Sequence, residues 1–262
     1  WAARGDVART LQHYDIAMRS GSSTPGILYP ILVTASSDPI IASELARVLA
    51  GNPVWGEQLV QQIAQSSTNF TGISNLFITM NKSGASVPDA ALAAATKRMA
   101  EAGNLSEAWR AYRAARPQQA ARPMRNVAFT IENSPATVFD WELQNGSPSA
   151  TLGDGTLYLS AAAGVSGIAA RQLATFSPGT WRMDFRHDAR ELRDLPNLTV
   201  SCAGNGVTLG QSRSVGEGLA RLIFTVPSSC PFQDVSFALP TNDRPGGTSA
   251  SVRELVIQQE PT

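Results

Sequence analysis

The sequence predicts two domains of different class, a helical half followed by an antiparallel β-sandwich, and three observations carry that prediction. The spacing of apolar residues is helical from Ala2 to about Arg116 and becomes alternating after Asn126. The stretch between, "RPQQAARPMRN", has two prolines, polar side chains and no period. The chain has 262 residues, enough for two ordinary cores. The expected boundaries are a helical domain over residues 1–116, a linker over 117–125 and a β-sandwich over 126–262.

In the first half, Gly or Pro interrupts the helical period every ten to twenty residues. Seven helices are expected, over "DVARTLQHYDIAMRS", "PGILYPILVTASS", "DPIIASELARVLA", "PVWGEQLVQQIAQ", "FTGISNLFITMNKSG", "PDAALAAATKRMAEAG" and "LSEAWRAYRAAR". Asp38–Pro39 and Pro88–Asp89 supply start signals, while Gly51, Gly84 and Gly103 stand at stops. An internal echo aligns "GDVARTLQHYDIA" with "GNLSEAWRAYRAA", matching Gly5, Tyr14 and Ala17 to Gly103, Tyr112 and Ala115. "GNLSEAWRAYRAARP" resembles the second helix of a tetratricopeptide repeat, with Ala108, Tyr112 and Ala115 in the small, aromatic and small places. Pro117 comes earlier than that pattern has it. The resemblance implies a tetratricopeptide-like α-solenoid in which helix pairs stack on their neighbours. An irregular α-bundle packed through its alanines is the alternative.

Nine short alternating runs are expected to supply strands in the second half: "NVAFTIE", "TVFDWEL", "ATLGDGTLYLS", "GIAARQLATF", "GTWRMDFRH", "LTVSCAG", "LARLIFTVP", "DVSFAL" and "ASVRELVIQQ". Asp154–Gly155 between apolar runs is a hairpin turn, since both residues tolerate positive φ. The order "FDWEL", "ATFSPGTWRMDF", "LTVSC" with "FTVPSSC", and a closing "SVRELVIQ" resembles the galactose-binding-like jelly roll that includes many carbohydrate-binding modules, over roughly Asn126 to Gln259. Joined to a helical-repeat domain, it also resembles exported proteins of alphaproteobacteria. The two resemblances imply a carbohydrate ligand for the sandwich and a protein or peptide partner for the helices.

Composition narrows the function classes. A formal net charge of zero lacks the basic footprint that phosphate neutralisation requires, which excludes a nucleic-acid binder. Apart from Lys82 and Lys97 the basic residues are arginines, a bias given no functional weight. No apolar run reaches the length of about 18 residues that spans a bilayer. The sequence opens at Trp1 without methionine, so a signal peptide or anchor before Trp1 is expected, and any membrane association would run through it. Cys202 and Cys230, both beside strands, read as a disulfide of a periplasmic or otherwise exported protein, or as two buried thiols of a cytosolic one. No metal site and no cofactor are expected, because two cysteines without nearby histidines fall short of four ligands.

Strand parity sorts the candidate site residues. In "TWRMDF", Trp181, Met183 and Phe185 share the core face, and Arg182, Asp184 and Arg186 share the outer one. In "VFDWEL" the same parity sends Phe139, Trp141 and Leu143 inward and Asp140 and Glu142 outward. Arg182, Asp184 and Arg186, joined by Tyr158, Arg171 and Gln172, offer the planar hydrogen-bonding groups that a sugar's hydroxyls need. Opposite charges on a sheet also pair to satisfy one another, which is the alternative. His187, among Asp184, Asp188 and Glu191, reads as a solvated loop histidine, and His13 as part of the first helix. "GNGVTLG" reads as a strand-to-strand loop, and "GVSG" lacks the spacing of a nucleophile elbow. "NDRPGG" and "GDGT" do not complete a calcium loop. The expectation is a non-enzymatic recognition protein, its sandwich binding an envelope or exported polysaccharide and its helices docking a protein; the alternative is a scaffold whose sandwich is purely structural.

Overall fold

The fold, taken from a computed structural model, is described for residues 6–20, 24–130, 135–189 and 191–261. A helical region precedes an antiparallel sandwich of two sheets, as the change of period predicts. The chain divides into two compact units between Ala121 and Arg122. Among the described residues the first unit contains α1 (Val7–Ser20), α2 (Thr24–Ala35), α3 (Pro39–Ala50), α4 (Gly56–Ser66), α5 (Phe70–Lys82), α6 (Asp89–Glu101) and α7 (Leu105–Ala115).

Local chemistry sets the helix ends. The Asp38 carboxylate accepts from the main-chain N–H groups of Ile40 at 2.8 Å and Ile41 at 3.3 Å, so α3 starts on a satisfied cap with Pro39 at its first position. Asn69 caps α5 through Gly72 N at 2.8 Å. Gly84 and Gly103 end α5 and α6 in the left-handed region, at φ +79° and +75°. Each helix then buries one stripe: α1 packs on α3, α3 on α5 and α5 on α7, while α2 packs on α4, α4 on α6 and α6 on α7. Ala91, Ala95, Ala108 and Ala111 are fully buried, and their small side chains admit Phe77, Met99 and Tyr112 into the same core.

The second unit carries β1 (Glu142–Leu143), β2 (Ser149–Gly153), β3 (Thr156–Ala161), β4 (Gly167–Ala174), β5 (Gly179–His187), β6 (Asn197–Cys202), β7 (Thr208–Gln211), β8 (Arg213–Gly216), β9 (Leu219–Val226), β10 (Gln233–Leu239) and β11 (Thr248–Gln259). One sheet has the order β1-β4-β10-β6-β7, the other β2-β3-β11-β5-β9-β8, and all pairings are antiparallel. Asp154 and Gly155 turn β2 into β3 with φ +51° and +72°, the expected tight hairpin. Between the sheets Phe185 meets Phe237 edge to face at 5.3 Å, and Phe176 meets Trp181 and Phe224 at 5.0 and 5.3 Å. Trp181, Met183 and Phe185 are all buried, as their parity requires. Cys202 and Cys230 form a disulfide, with Cα atoms 5.6 Å apart, which ties the end of β6 to the segment entering β10.

Some expectations change. "NVAFTIE" forms no strand over residues 126–130, and its last residues, Ile131 and Glu132, lie outside the described ones. "TVFDWEL" contributes only the two residues of β1. Asp140 does not face outward: it is 2% exposed, ion-paired with Arg125, and accepts from Thr137 N at 3.0 Å and Thr137 Oγ1 at 2.8 Å. That local turn, not strand alternation, sets its direction. β7 lies in the sequence expected to be loop, and β8 follows it, held by pairing with β6 and β9 respectively.

Candidate functional site

The hairpin β2–β3 and the first half of β11 build the most ligand-like surface of the sandwich. Ala150, Leu152, Leu157, Leu159, Ala250 and Val252 point into the core, so the residues between them must point out. Register then aligns those outward residues in two rows across three strands. Thr151, Tyr158 and Ser251 stand side by side, and so do Ser149, Ser160 and Ser249. Ser149, Thr151, Ser160 and Ser249 therefore share with Tyr158 a patch that no strand supplies alone, and Ser251, 9% exposed, completes the row beside Tyr158. Ser149 Oγ and Ser160 Oγ lie 2.8 Å apart.

The patch forms a shallow groove of about 280 Å³, at whose edge stands Asp188. β5 ends at His187, and the Asp188 carboxylate accepts from Ser251 N at 2.6 Å, taking the place that a strand carbonyl would have filled. Tyr158 is 48% exposed. Its ring lies over Gly153, within van der Waals reach of where a Cβ would stand, at 3.7 Å from Cε2. The groove offers an aromatic flank, hydroxyls that both donate and accept, and one acceptor-only carboxylate.

The residues singled out from the sequence do not all meet there. Tyr158 lies in the groove. Arg182, Asp184 and Arg186 share the outer face of the same sheet, beyond β11. Arg182 bonds to Asp184 at 3.2 Å, to Glu260 at 2.9 Å and to Gln258; Arg221 clasps Asp184 at 2.7 and 3.2 Å; Arg186 meets Glu254 at 2.8 Å. The Asp184 pairing raises the pKa of Arg221. This half of the sheet is an ion-pair ladder whose members face one another. Arg171 sits on β4 in the other sheet, held by Asp234 at 2.9 Å, and that hydrogen bond raises its pKa. Gln172, its neighbour, is buried and donates to Phe139 O at 2.6 Å.

His187 is not a solvated loop residue. It closes β5 with its ring on the core side, 8% exposed, 6.3 Å from the ring of Phe185, and neither ring nitrogen has a hydrogen-bond partner among the described residues. Burial pushes its pKa down, against a smaller upward pull from Asp188. The core-facing parity of Trp181, Met183 and Phe185, extended by two residues, identifies this placement. The serines of the groove carried no such local signal, since only the register of β11 brings them beside the hairpin.

The helical unit has a cavity of about 380 Å³ over Leu49, Pro53, Val60, Met80 and Pro88, with Glu57 on its rim. Its exposed large aliphatic side chains, Ile16, Ile27, Ile31, Ile40 and Val54, all lie from α1 to the start of α4. Among the described residues no group of three or more His, Cys, Asp or Glu side chains is placed to hold a metal, and no helix is long and apolar enough to cross a membrane.

No family model matches the chain, and no curated protein matches it by sequence. Among solved structures it is similar to the enzymatically active domain of tailspike protein 4 of bacteriophage CBA120, with 14% identity and a TM-score of 0.37. The match covers 55% of this chain and 22% of that one. A likeness of that size carries no argument about fold or activity.

Proposed function

We propose that this protein is a non-enzymatic carbohydrate-recognition protein of an exported compartment, which takes its ligand in the groove on β2, β3 and β11. The observation that carries the reading is the half-exposed Tyr158 standing among the aligned hydroxyls of Ser149, Thr151, Ser160, Ser249 and Ser251. A sugar ring has an apolar face and a polar circumference, and a single aromatic beside a field of hydroxyls matches both. The groove's volume suits roughly one or two sugar rings, near the small end of ligand sites. The Cys202–Cys230 disulfide supports an oxidising compartment.

The groove has one carboxylate in its lining, where glycoside hydrolysis generally employs two, and His187 faces the core instead. Both points favour binding over catalysis. A carbohydrate-binding jelly roll is the finer form of this reading.

Titration calorimetry of the full chain against a panel of plant, bacterial and animal oligosaccharides tests it. At least one ligand should bind at millimolar concentration or below, and Tyr158→Ala should weaken that ligand about tenfold or more. A panel without binding, or a ligand indifferent to Tyr158, overturns the proposal.

A second reading concerns the helical unit. The alternation α1–α3–α5–α7 and α2–α4–α6 favours a tetratricopeptide-like solenoid, in which the first pair packs on α3 and α4 alone among the described elements. Ile27 and Ile31, one turn apart on α2, are exposed, and so is Ile16 on α1. Such a face suits an amphipathic helix of a partner protein. Ile27→Asp with Ile31→Asp should abolish recovery of a specific partner that the unmodified chain recovers; equal recovery by both sinks this reading.

A further inference from the structure

We propose that the groove accepts neutral or amine-bearing sugars and rejects acidic ones, with Asp188 as the residue that discriminates. This inference rests on the reading of the groove as a carbohydrate site and assigns the class of sugar.

Asp188 is the one charged side chain in the lining. Every other polar group there is a hydroxyl, able to turn and satisfy either a donor or an acceptor on the ligand. A carboxylate cannot turn in that sense: it only accepts. Its position is fixed as well, because the 2.6 Å hydrogen bond from Ser251 N ties it to the main chain of β11 at the point where β5 has ended. Moving it away from an unwelcome anion would leave that N–H without its acceptor, which is costly near the sheet interior. Asp188 therefore acts as a fixed negative charge facing a hydroxyl field.

Two of the arginines nearby are engaged with other partners. Arg186 is engaged with Glu254 at 2.8 Å, and Arg182 with Asp184, Gln258 and Glu260. Arg253 lies two residues beyond Ser251, opposite Thr156 and Arg186; it is exposed and outside the groove's lining, so its charge reaches the groove only through solvent that screens it. A uronate, sulfated or phosphorylated sugar entering the groove meets like charge, whereas sugar hydroxyls donate to the carboxylate and an ammonium group pairs with it. Specificity of this kind comes from a repulsive element as much as from attraction.

Calorimetry of the full chain at pH 7 and low salt tests it, with stereochemically matched gluco and galacto oligomers in three forms: neutral, amino and uronic acid. Within the series that binds, the uronic acid form should bind about tenfold or more weakly than the neutral form, and the amino form more tightly than either. The gap should narrow as salt rises, because Asp188 is open to solvent screening. Asp188→Asn should bring the three affinities within about threefold of one another. Glu217→Gln, which removes one exposed negative charge on the β8–β9 turn, should leave the ranking intact and so separates a groove effect from net charge. Uronic acid forms that bind as tightly as neutral ones, or a ranking unmoved by Asp188→Asn, overturn the proposal while leaving the groove a sugar site. Absence of binding by every oligomer instead removes the reading beneath it.

Discussion

His187 ends β5 with its imidazole turned into the sandwich, and burial holds its pKa below the ordinary value of about 6.5. The unfolded chain takes up a proton near that value while the folded chain resists it. By linkage, the stability this group contributes is complete above about pH 6.5 and is lost as pH falls through the lower folded-state value. Denaturant midpoints measured from pH 7.5 down to 5 should therefore decline, and His187→Leu should flatten the part of the decline that begins near pH 6.5. Glu254 poses the reverse problem, a backbone one. It occupies φ +52° where β11 slips register against β5 between Arg253 and Val256. An L side chain in that region costs about 1 kcal/mol, and the exposed Arg186–Glu254 pair returns little of it. Glu254→Gly should thus stabilise by up to about 1 kcal/mol, and Glu254→Val should destabilise by more than that, both read from chemical denaturation. Parity within one strand made the inward Trp181 and the outward Tyr158 legible in the sequence. The serines that complete Tyr158's surroundings were not, because their adjacency depends on pairing between segments about ninety residues apart, from Tyr158 to Ser251.

At the scale of elements, legibility follows how local the cause is. All seven helices could be anticipated from their own periods and caps, because Asp38, Asn69, Gly84 and Gly103 act within a turn of where they stand. The β2–β3 hairpin was legible for the same reason. β7 and β8 were not: "TLGQ" and "RSVG" carry no apolar alternation and become strands only against β6 and β9. β1 is short because Thr137 and Asp140 bond to each other in a turn that ends just before it. The element is then fastened from a distance, since Arg125 reaches Asp140 in a buried ion pair. Arg125→Met takes a positive charge from beside a carboxylate that is 2% exposed, while the Thr137 hydrogen bonds to it remain, and should cost about 3 kcal/mol in urea unfolding. The disulfide restrains a different stretch, closing a loop of 28 residues that includes β7, β8 and β9. Converting both cysteines to alanine should lower stability by about 3.5 kcal/mol, by the loop-entropy argument. The edge strands β1, β2, β7 and β8 should lose hydrogen-exchange protection before the central ones.

At the scale of the whole molecule, the change from helical to alternating period divides the sequence into two segments that each bury their own core. The core of the sandwich runs from Met124 to Leu255, and every residue of the groove lies between Ser149 and Ser251. A fragment beginning at Arg122 should consequently fold alone and rank sugars as the full chain does. The starting residue matters more than the period of the sequence suggests. The aperiodic stretch over 117–125 reads as a linker, but Met124 is 3% exposed within the sandwich core and Arg125 holds Asp140. A fragment beginning at Asn126 lacks both. Losing a buried methionine costs about 2 to 5 kcal/mol, and removing the arginine from beside the buried carboxylate about 3 more. Against the 5 to 15 kcal/mol that typically holds a domain together, that loss approaches the whole margin. Thermal melts of the two fragments followed by near-ultraviolet circular dichroism should show a cooperative transition for the one starting at Arg122 and a much lower or absent transition for the one starting at Asn126. Equal melting temperatures would mean that Met124 and Arg125 are attached to the sandwich without supporting it. A well-folded Arg122 fragment that no longer binds the full chain's ligand would place part of the site before Arg122.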